Sequence, residues 1–297
     1  MTVTATPSVS EAPKGSAAPH LVGKIHERPR PTMWIWWALA AFAAVAIVNF
    51  VGFNPRWGWA IVAEYIVSPR VLNGVLNTIM LTIVSSALGL VLGLIVTACR
   101  MSSNPVLRGF GFLYIWVVRA VPTLVMLLFI FFISALLPVL TLGVPFTDIT
   151  FFETDTSSVI SRWSAAVIGL AFFLGGFSAE IFRGGLKAVS QGQWEASKAL
   201  GMKPLTALRV VIAPQAVRVI IPPLANELIT MFKNTSLVSV IGYLDLLTTV
   251  QLIYSTNFET IPLLTVAVIW YLGMTSLALL GQKFLEKRYG RGFDVRK

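Results

Sequence analysis

RGGLKAVSQGQWEASKALGMKPLTALRVVIAP, residues 183–214, is a polar and basic interlude in a chain that is otherwise strongly apolar. It carries Arg183, Lys187, Lys198, Lys203 and Arg209 against a single acid, Glu195. Ser190 and Gln193 have the spacing of a capping box, with a hydroxyl at the N-cap and an amide side chain three residues on. The helix they open, Gln191–Leu200, is expected to stop at Gly201, a natural left-handed residue at a helix C-terminus. Pro204 suits the first turn of a second helix, and Pro214 ends that helix or opens the next. The stretch therefore reads as two short helices joined by a tight turn. Its charge would let it lie on anionic lipid. Trp194 is the only large apolar anchor in the first helix, which favours a protein partner instead.

The surroundings explain why such a hairpin must stand at a membrane surface. The chain has 297 residues, 56% hydrophobic and 12% charged, with a mean hydropathy of +0.78. Soluble domains carry roughly 25% charged residues. Several apolar runs reach the roughly twenty residues needed to cross a bilayer core. Predicted spans are 33–51, opening on Trp34, Trp36 and Trp37, then 71–98, 121–140 after an amphipathic stretch with Arg108 and Arg119, 164–182, an interrupted region at 212–250, and 261–281. The expected fold is all-α and polytopic, with about six transmembrane helices. A transmembrane β-barrel would show short alternating strands instead.

Loop charges set an orientation. If six spans alternate, one side collects Lys24, Arg28, Arg30, Arg100, Arg108, Arg119, the basic residues of the hairpin, Arg218, Lys283, Lys287, Arg288, Arg291, Arg296 and Lys297. The other side holds Arg56, Glu64, Arg70, Asp148, Glu153, Asp155, Arg162 and Glu259. Both termini are expected in the cytoplasm, and the net charge of +10 reflects this bias rather than nucleic-acid binding. Residues 1–31 are rich in Ala, Pro, Ser and Thr and are expected to be a disordered cytoplasmic tail. Residues 286–297 form a second basic tail. Cys99 is the only cysteine, His20 and His26 lie in the N-terminal tail, and no Cys/His set has metal-ligand spacing. No G-x-x-x-x-G-K-[ST] loop is present, so the chain has no phosphate-binding loop of that type. No cofactor is expected, and no catalytic residue.

Glu195-Ala196-Ser197, three residues, Gly201 and finally Pro214 resemble the EAA loop of ABC importer permeases. That pattern runs Glu-Ala-Ala, three residues, Gly, nine residues, Ile, one residue, Leu-Pro; Ser197, Val211 and Ala213 are small or aliphatic departures from it. VRAVP at 118–122, AEIFRGGLKAV at 179–189, GQWEASKALG at 192–201, PPLANELI at 222–229 and KNTSLVSVIG at 233–242 resemble the polar amino-acid subfamily, whose cargoes include histidine, glutamate, glutamine, arginine and opines. The resemblance covers 70–285 and implies a type I importer transmembrane domain. Span 33–51 lies outside it, and the stretch 138–163 is longer than the subfamily usually carries. It further implies two ATPase subunits that bind ATP and dock at the hairpin, and a second permease copy or similar subunit. A soluble binding protein outside and a bacterial cytoplasmic (inner) membrane location follow in the same way. Glu195, Ala196, Ser197, Gly201 and Pro214 are the coupling residues it implies. The alternative is an ion-coupled secondary transporter.

Ionisable side chains inside spans are costly and usually functional. Phe173, Phe177 and Glu180 fall on one helical face, where a carboxylate beside aromatic rings suits an ammonium group; equally, Glu180 is placed to pair with Arg183 or Arg119. The subfamily often has a polar Asn-Ser-Gly-Ala-Tyr run where this chain has Phe173-Leu174-Gly175-Gly176-Phe177. Pro222 and Pro223 free backbone carbonyls, making Asn226 and Glu227 candidates for the translocation path, or for hydrogen bonds between helices. The subfamily typically has Gln at the position of Glu227, so the acid here favours a cationic group. Asn77 and Thr78 in the second span are further candidates, although a buried Thr commonly bonds its own helix.

Overall fold

The computed structural model describes residues 32–144 and 149–289, which divide into one unit ending at Asn54 and another beginning at Pro55. The expected tail at 1–31 and the basic residues beyond 289 lie outside the described residues. In the first unit, helix α1 (Met33–Phe53) covers the predicted span 33–51. It buries no residue, and Trp36, Phe42, Val45 and Phe50 stand exposed around it. A helix apolar on all sides is at home in lipid.

The second unit starts with α2 (Trp59–Tyr65) and α3 (Pro69–Met101). Ser68 caps α3 by accepting from the Val71 N–H, and Pro69 fills its first turn. Helix α4 (Pro105–Ala120) is capped by Asn104, whose Oδ1 accepts from the Val106 N–H at 2.9 Å. It meets α5 (Thr123–Phe131) at a bend of 108°. The cause is Pro122: it forces Val121 into an extended conformation (φ −95°, ψ 130°) and removes the next backbone donor.

The predicted third span, 121–140, starts at this bend as expected but is corrected at its far end. Helix α5 ends at Phe131, α6 (Ile133–Leu136) adds one turn, and Pro138 drives Leu137 out of helical geometry. Strands β1 (Val139–Gly143) and β2 (Thr150–Asp155) then form an antiparallel hairpin, Val139 opposite Asp155 and Leu142 opposite Phe152. This hairpin amends an otherwise all-α fold and accounts for the long 138–163 stretch. Helix α7 (Thr156–Val159) closes its base: the Thr156 N–H donates to the Pro138 carbonyl at 2.9 Å and its hydroxyl to the Leu137 carbonyl.

Helix α8 (Arg162–Ala188) leads to the short helices α9 (Gln191–Ala199) and α10 (Pro204–Ala207). A π turn, Leu208–Ile212, runs directly into α11 (Ala213–Asn234). The predicted interruption at Pro222 and Pro223 does not occur; both prolines sit inside α11, where the fixed φ of proline fits a helix and only two carbonyls lose donors. The break comes later, in a 3-10 stretch, Thr235–Ile241, ending at Gly242 with φ +69°. Helix α12 (Leu246–Asn257) and α13 (Thr260–Tyr289) complete the unit. Among the described residues, α1, α3, α8, the Pro204–Ile241 run and α13 are long and apolar enough to cross a bilayer, and the bent α4–α5 pair is a sixth if counted as one crossing.

Two apolar clusters flank α3. Leu81, Leu127, Leu170, Leu174 and Met231 join α3, α5, α8 and α11. Val71, Val75, Leu246, Val250, Leu263 and Val266 join α3 to α12 and α13. The α3–α8 seam is tight because glycines line it. A Cβ at Gly89 would lie 2.8 Å from Leu174, and one at Gly93 would overlap the Ser178 hydroxyl. Thr97 sits one turn on, its hydroxyl 2.7 Å from the Gly93 carbonyl and 3.1 Å from that of Ala179 on α8. Small residues at close crossings are how helices associate where water gives no hydrophobic drive. We expect Gly93→Leu to cost about 1–3 kcal/mol through overpacking, read as a lower melting temperature of the purified protein, while Gly281→Leu, on an open face of α13, leaves it unchanged.

Candidate functional site: the α9–α10 hairpin and the polar face of α11

The α9–α10 hairpin is fastened by its turn. Gly201 has φ +68°; its N–H donates to the Lys198 carbonyl at 2.9 Å, and the Met202 N–H to that of Ser197 at 3.1 Å. These two bonds are a Schellman C-cap. The start of α9 corrects the expected capping box: the Ser190 side chain makes no cap hydrogen bond. The Gln193 amide turns away instead, its oxygen accepting from Gln215 Nε2 at 3.4 Å, so the hairpin is tied to the base of α11. The π turn widens the helix just before Pro214, which lets that residue sit in the first turn of α11.

Trp194 packs against Val189, Ile212 and Ala216, with Leu208 and Ile220 beside it. It thus anchors the hairpin to its own molecule. Ser197 is also buried, its hydroxyl donating to the Gln193 carbonyl at 2.7 Å. The outward face carries Glu195, Ala196, Ala199 and Leu200, with Leu205 on α10; Leu200 is 80% and Leu205 75% exposed. Glu195 accepts from Gln191 Nε2 at 2.8 Å and has no cationic partner among the described residues. The surface is an apolar knob with a carboxylate at its edge that no cation pairs among the described residues. Pro214 lies exposed at the foot of α11.

The other candidates separate into distinct places. Phe173 is core, with its ring 4.6 Å from that of Phe177. Glu180 lies away from that ring pair in its contacts: its carboxylate takes both Nε and Nη2 of Arg183, at 3.2 and 2.5 Å. It lines a cavity of about 450 Å³ with Arg100, Phe112, Ile115, Trp116 and Arg119. The Thr78 hydroxyl donates to the Gly74 carbonyl at 2.9 Å and accepts from the Leu246 N–H at 3.0 Å. Thr78 thus bonds its own helix and also holds the start of α12. Asn77 donates to the Leu244 carbonyl at 2.8 Å and lines a groove with Arg70, Asn73, Thr249 and Thr256.

Asn226 and Glu227 sit on α11. Asn226 is exposed, Glu227 half-buried and without an ion-pair partner among the described residues. Thr230 and Lys233 follow at +4 and +7 from Asn226, on the same face. Lys233, not singled out from the sequence, is exposed and lines a groove with Ser236, Tyr271 and Thr275. An exposed polar stripe within a span does not face lipid; the i, i+4, i+7 spacing was the signal for it. A second residue missed by sequence reading is Asp245, fully buried at the start of α12. Its Oδ1 accepts from the Thr248 N–H and hydroxyl at 2.9 and 2.6 Å, and its Oδ2 from the Leu247 N–H and the Tyr271 hydroxyl at 3.2 Å each. The Asp-x-x-Thr spacing was the signal.

Residues 89–291 match the family model described as binding-protein-dependent transport system inner membrane component. The chain belongs to this family. It is 42% identical over 257 residues to the arginine transport system permease protein ArgU of Corynebacterium glutamicum, covering 86% of this chain and 78% of that one. It is 33% identical over 221 residues to a probable amino-acid ABC transporter permease protein of Bacillus subtilis, covering 74% and 89%. Among solved structures, an amino acid ABC transporter crystallised with histidines matches at TM-score 0.62 and 32% identity, covering 74% of this chain and 94% of that one. The inward-facing methionine transporter MetNI matches at TM-score 0.54 and 20% identity, over 74% and 95%, which supports the fold alone. This importer permease is a transport subunit, and nothing favours the ion-coupled alternative. We expect Gly201→Ala to cost about 1 kcal/mol, the penalty for a side chain in left-handed geometry, and Asp245→Ala about 2 kcal/mol or more, since it removes a cap and leaves the buried Thr248 hydroxyl without its acceptor. Ser190→Ala should stay within about 0.5 kcal/mol; thermal melts of the purified variants check all three.

Proposed function

We propose that this chain is the permease of an ATP-driven importer for a polar amino acid, with a cationic side chain favoured, in a bacterial cytoplasmic membrane. The exposed α9–α10 hairpin carries this reading. A rigid, apolar-tipped element on a basic membrane face, with Glu195 unpaired by any cation, is built to enter a cleft on another protein. That partner is the ATPase; two ATPases serve two permease copies, or one copy and a similar subunit. Glu195, Ala196, Leu200 and Leu205 meet the cleft. Gly201 holds the turn, while Ser197 and Pro214 act from inside the hairpin and at its foot. Both termini and the hairpin are cytoplasmic, in keeping with the loop charges, and a soluble binding protein delivers cargo from the opposite side.

The polar face of α11 lines the path, on either side of the dimer axis. Glu227 is half-buried on α11 with no ion-pair partner among the described residues, whereas Glu180 is committed to Arg183. It suits a guanidinium or ammonium group, and Lys233 and Thr230 suit the α-carboxylate. The arginine transport role named for the Corynebacterium relative agrees with this choice. The chain performs no covalent step. Nucleotide binding and hydrolysis on the partner shift its populations between outward- and inward-open states.

Glu195→Lys and Gly201→Trp should each reduce uptake about tenfold or more, the scale of one lost charged hydrogen bond, with membrane insertion unchanged. The measurement is radiolabelled uptake into vesicles holding the permease, its ATPase and its binding protein. Normal uptake by both variants at wild-type protein levels would sink the docking claim. Glu227→Gln should reduce uptake of arginine more than that of glutamine; equal losses would remove Glu227 from the selectivity site.

A further inference from the structure

The cavity beside Glu180 has a composition that transport of a cation does not explain. Arg100 and Arg119 line it with Phe112, Trp116 and Ile115. Its carboxylate is already bonded to Arg183 through two nitrogens. Counting Arg183 with the lining residues, three guanidinium groups face one carboxylate, leaving an excess of two positive charges. The Nε of Arg100 is buried and has no hydrogen-bond partner among the described residues. A guanidinium in this position calls for an anion.

Local packing builds the site. Arg100 occupies the last turn of α3, and its stem crosses Gly111 of α4, where an added Cβ would come within 2.9 Å of it. Its guanidinium carbon then lies 5.3 Å from the centre of the Phe112 ring. Phe112, Ile115, Trp116 and Arg119 share one face of α4. Phe112 is 56% and Trp116 58% exposed, so the cavity opens onto an exposed aromatic surface of the amphipathic helix α4. A volume of about 450 Å³ falls in the usual range for small-ligand sites, roughly 300–1,000 Å³.

We propose that the cavity between α3, α4 and α8 binds the phosphate headgroup of an anionic phospholipid, held by Arg100 and Arg119, with its acyl chains along Phe112 and Trp116. Basic pockets between spans near the membrane surface bind such headgroups, and the guanidinium fork fits phosphate oxygens. A zwitterionic amino acid also carries an anionic group. Its ammonium would find here no carboxylate free of Arg183, and its small polar body would gain nothing from the exposed rings. The inference needs only the membrane location of the chain. Lipid retention is read without transport, so its failure would leave the import reading intact.

The test is native mass spectrometry of the full-length protein, delipidated and titrated with phosphatidylglycerol or phosphatidylcholine of matched chains. Wild type should prefer phosphatidylglycerol by about tenfold or more, given roughly 1 kcal/mol per arginine near the site. The Arg100→Gln/Arg119→Gln pair should lose that preference, and Arg100→Lys/Arg119→Lys should restore most of it in a chain of unchanged charge. Arg108→Gln, exposed on the same helix outside the cavity, should keep it. Equal binding of both lipids by wild type overturns the proposal. So does a preference that survives the double Gln substitution, or one that Arg108→Gln abolishes equally. If the double Gln variant keeps its lipid preference but shows a raised KM for uptake, the arginines hold the solute's carboxylate and the lipid assignment falls.

Discussion

Close approach of α3 to α8 is the constraint on which the other features depend. Gly89 and Gly93 bring the two backbones together, and Thr97 and Ser178 bond carbonyls at the crossing. In lipid this seam cannot rely on expulsion of water; contact and hydrogen bonding must supply the attraction. Its lower end sets where α8 releases the chain into the α9–α10 hairpin. It also places Arg100 of α3 across from Glu180 of α8. The hairpin and the arginine-lined cavity are thus both positioned by one small-residue crossing.

The hairpin was legible because its signals are local and steric. Gly201 takes the left-handed conformation that its position demanded, and Pro204 opens the second helix. Ser190 misled, since a capping box is a matter of side-chain choice, and Gln193 had a rival partner in Gln215 across the hairpin. The far end of the third span was hidden for a different reason. Hydropathy reads apolar length, so 121–140 reads as one span from Pro122 onward although the helix breaks after Phe131 and Pro138 turns the chain into a strand. Pro222 and Pro223 show the converse: the same residue type was read as a break where the helix simply continued. Proline marks a lost donor, and tertiary context decides whether a bend follows.

Among the candidate path residues, what the sequence could not reveal was pairing. Glu180 could meet either cargo or an arginine, and only geometry commits it to Arg183. Thr78 could bond its own turn, which it does, while also receiving the first N–H of α12 from far along the chain. Asp245 escaped notice because a buried, fully bonded carboxylate leaves no mark in composition. The polar stripe of Asn226, Thr230 and Lys233 was readable by periodicity, yet it stood out only once the opposite face of α11 was seen to be packed.

From Pro204 to Asn234 the chain runs through α10, the π turn and α11 with no non-helical residue, about 45 Å at helical rise. The places along it where a helix can bend are the π turn beside Pro214 and the Pro222–Pro223 pair. Under the proposed docking, a tilt imposed at Leu205 is carried along this helix toward Lys233, and those two places decide how much of it arrives. The widened turn beside Pro214 is the natural fulcrum.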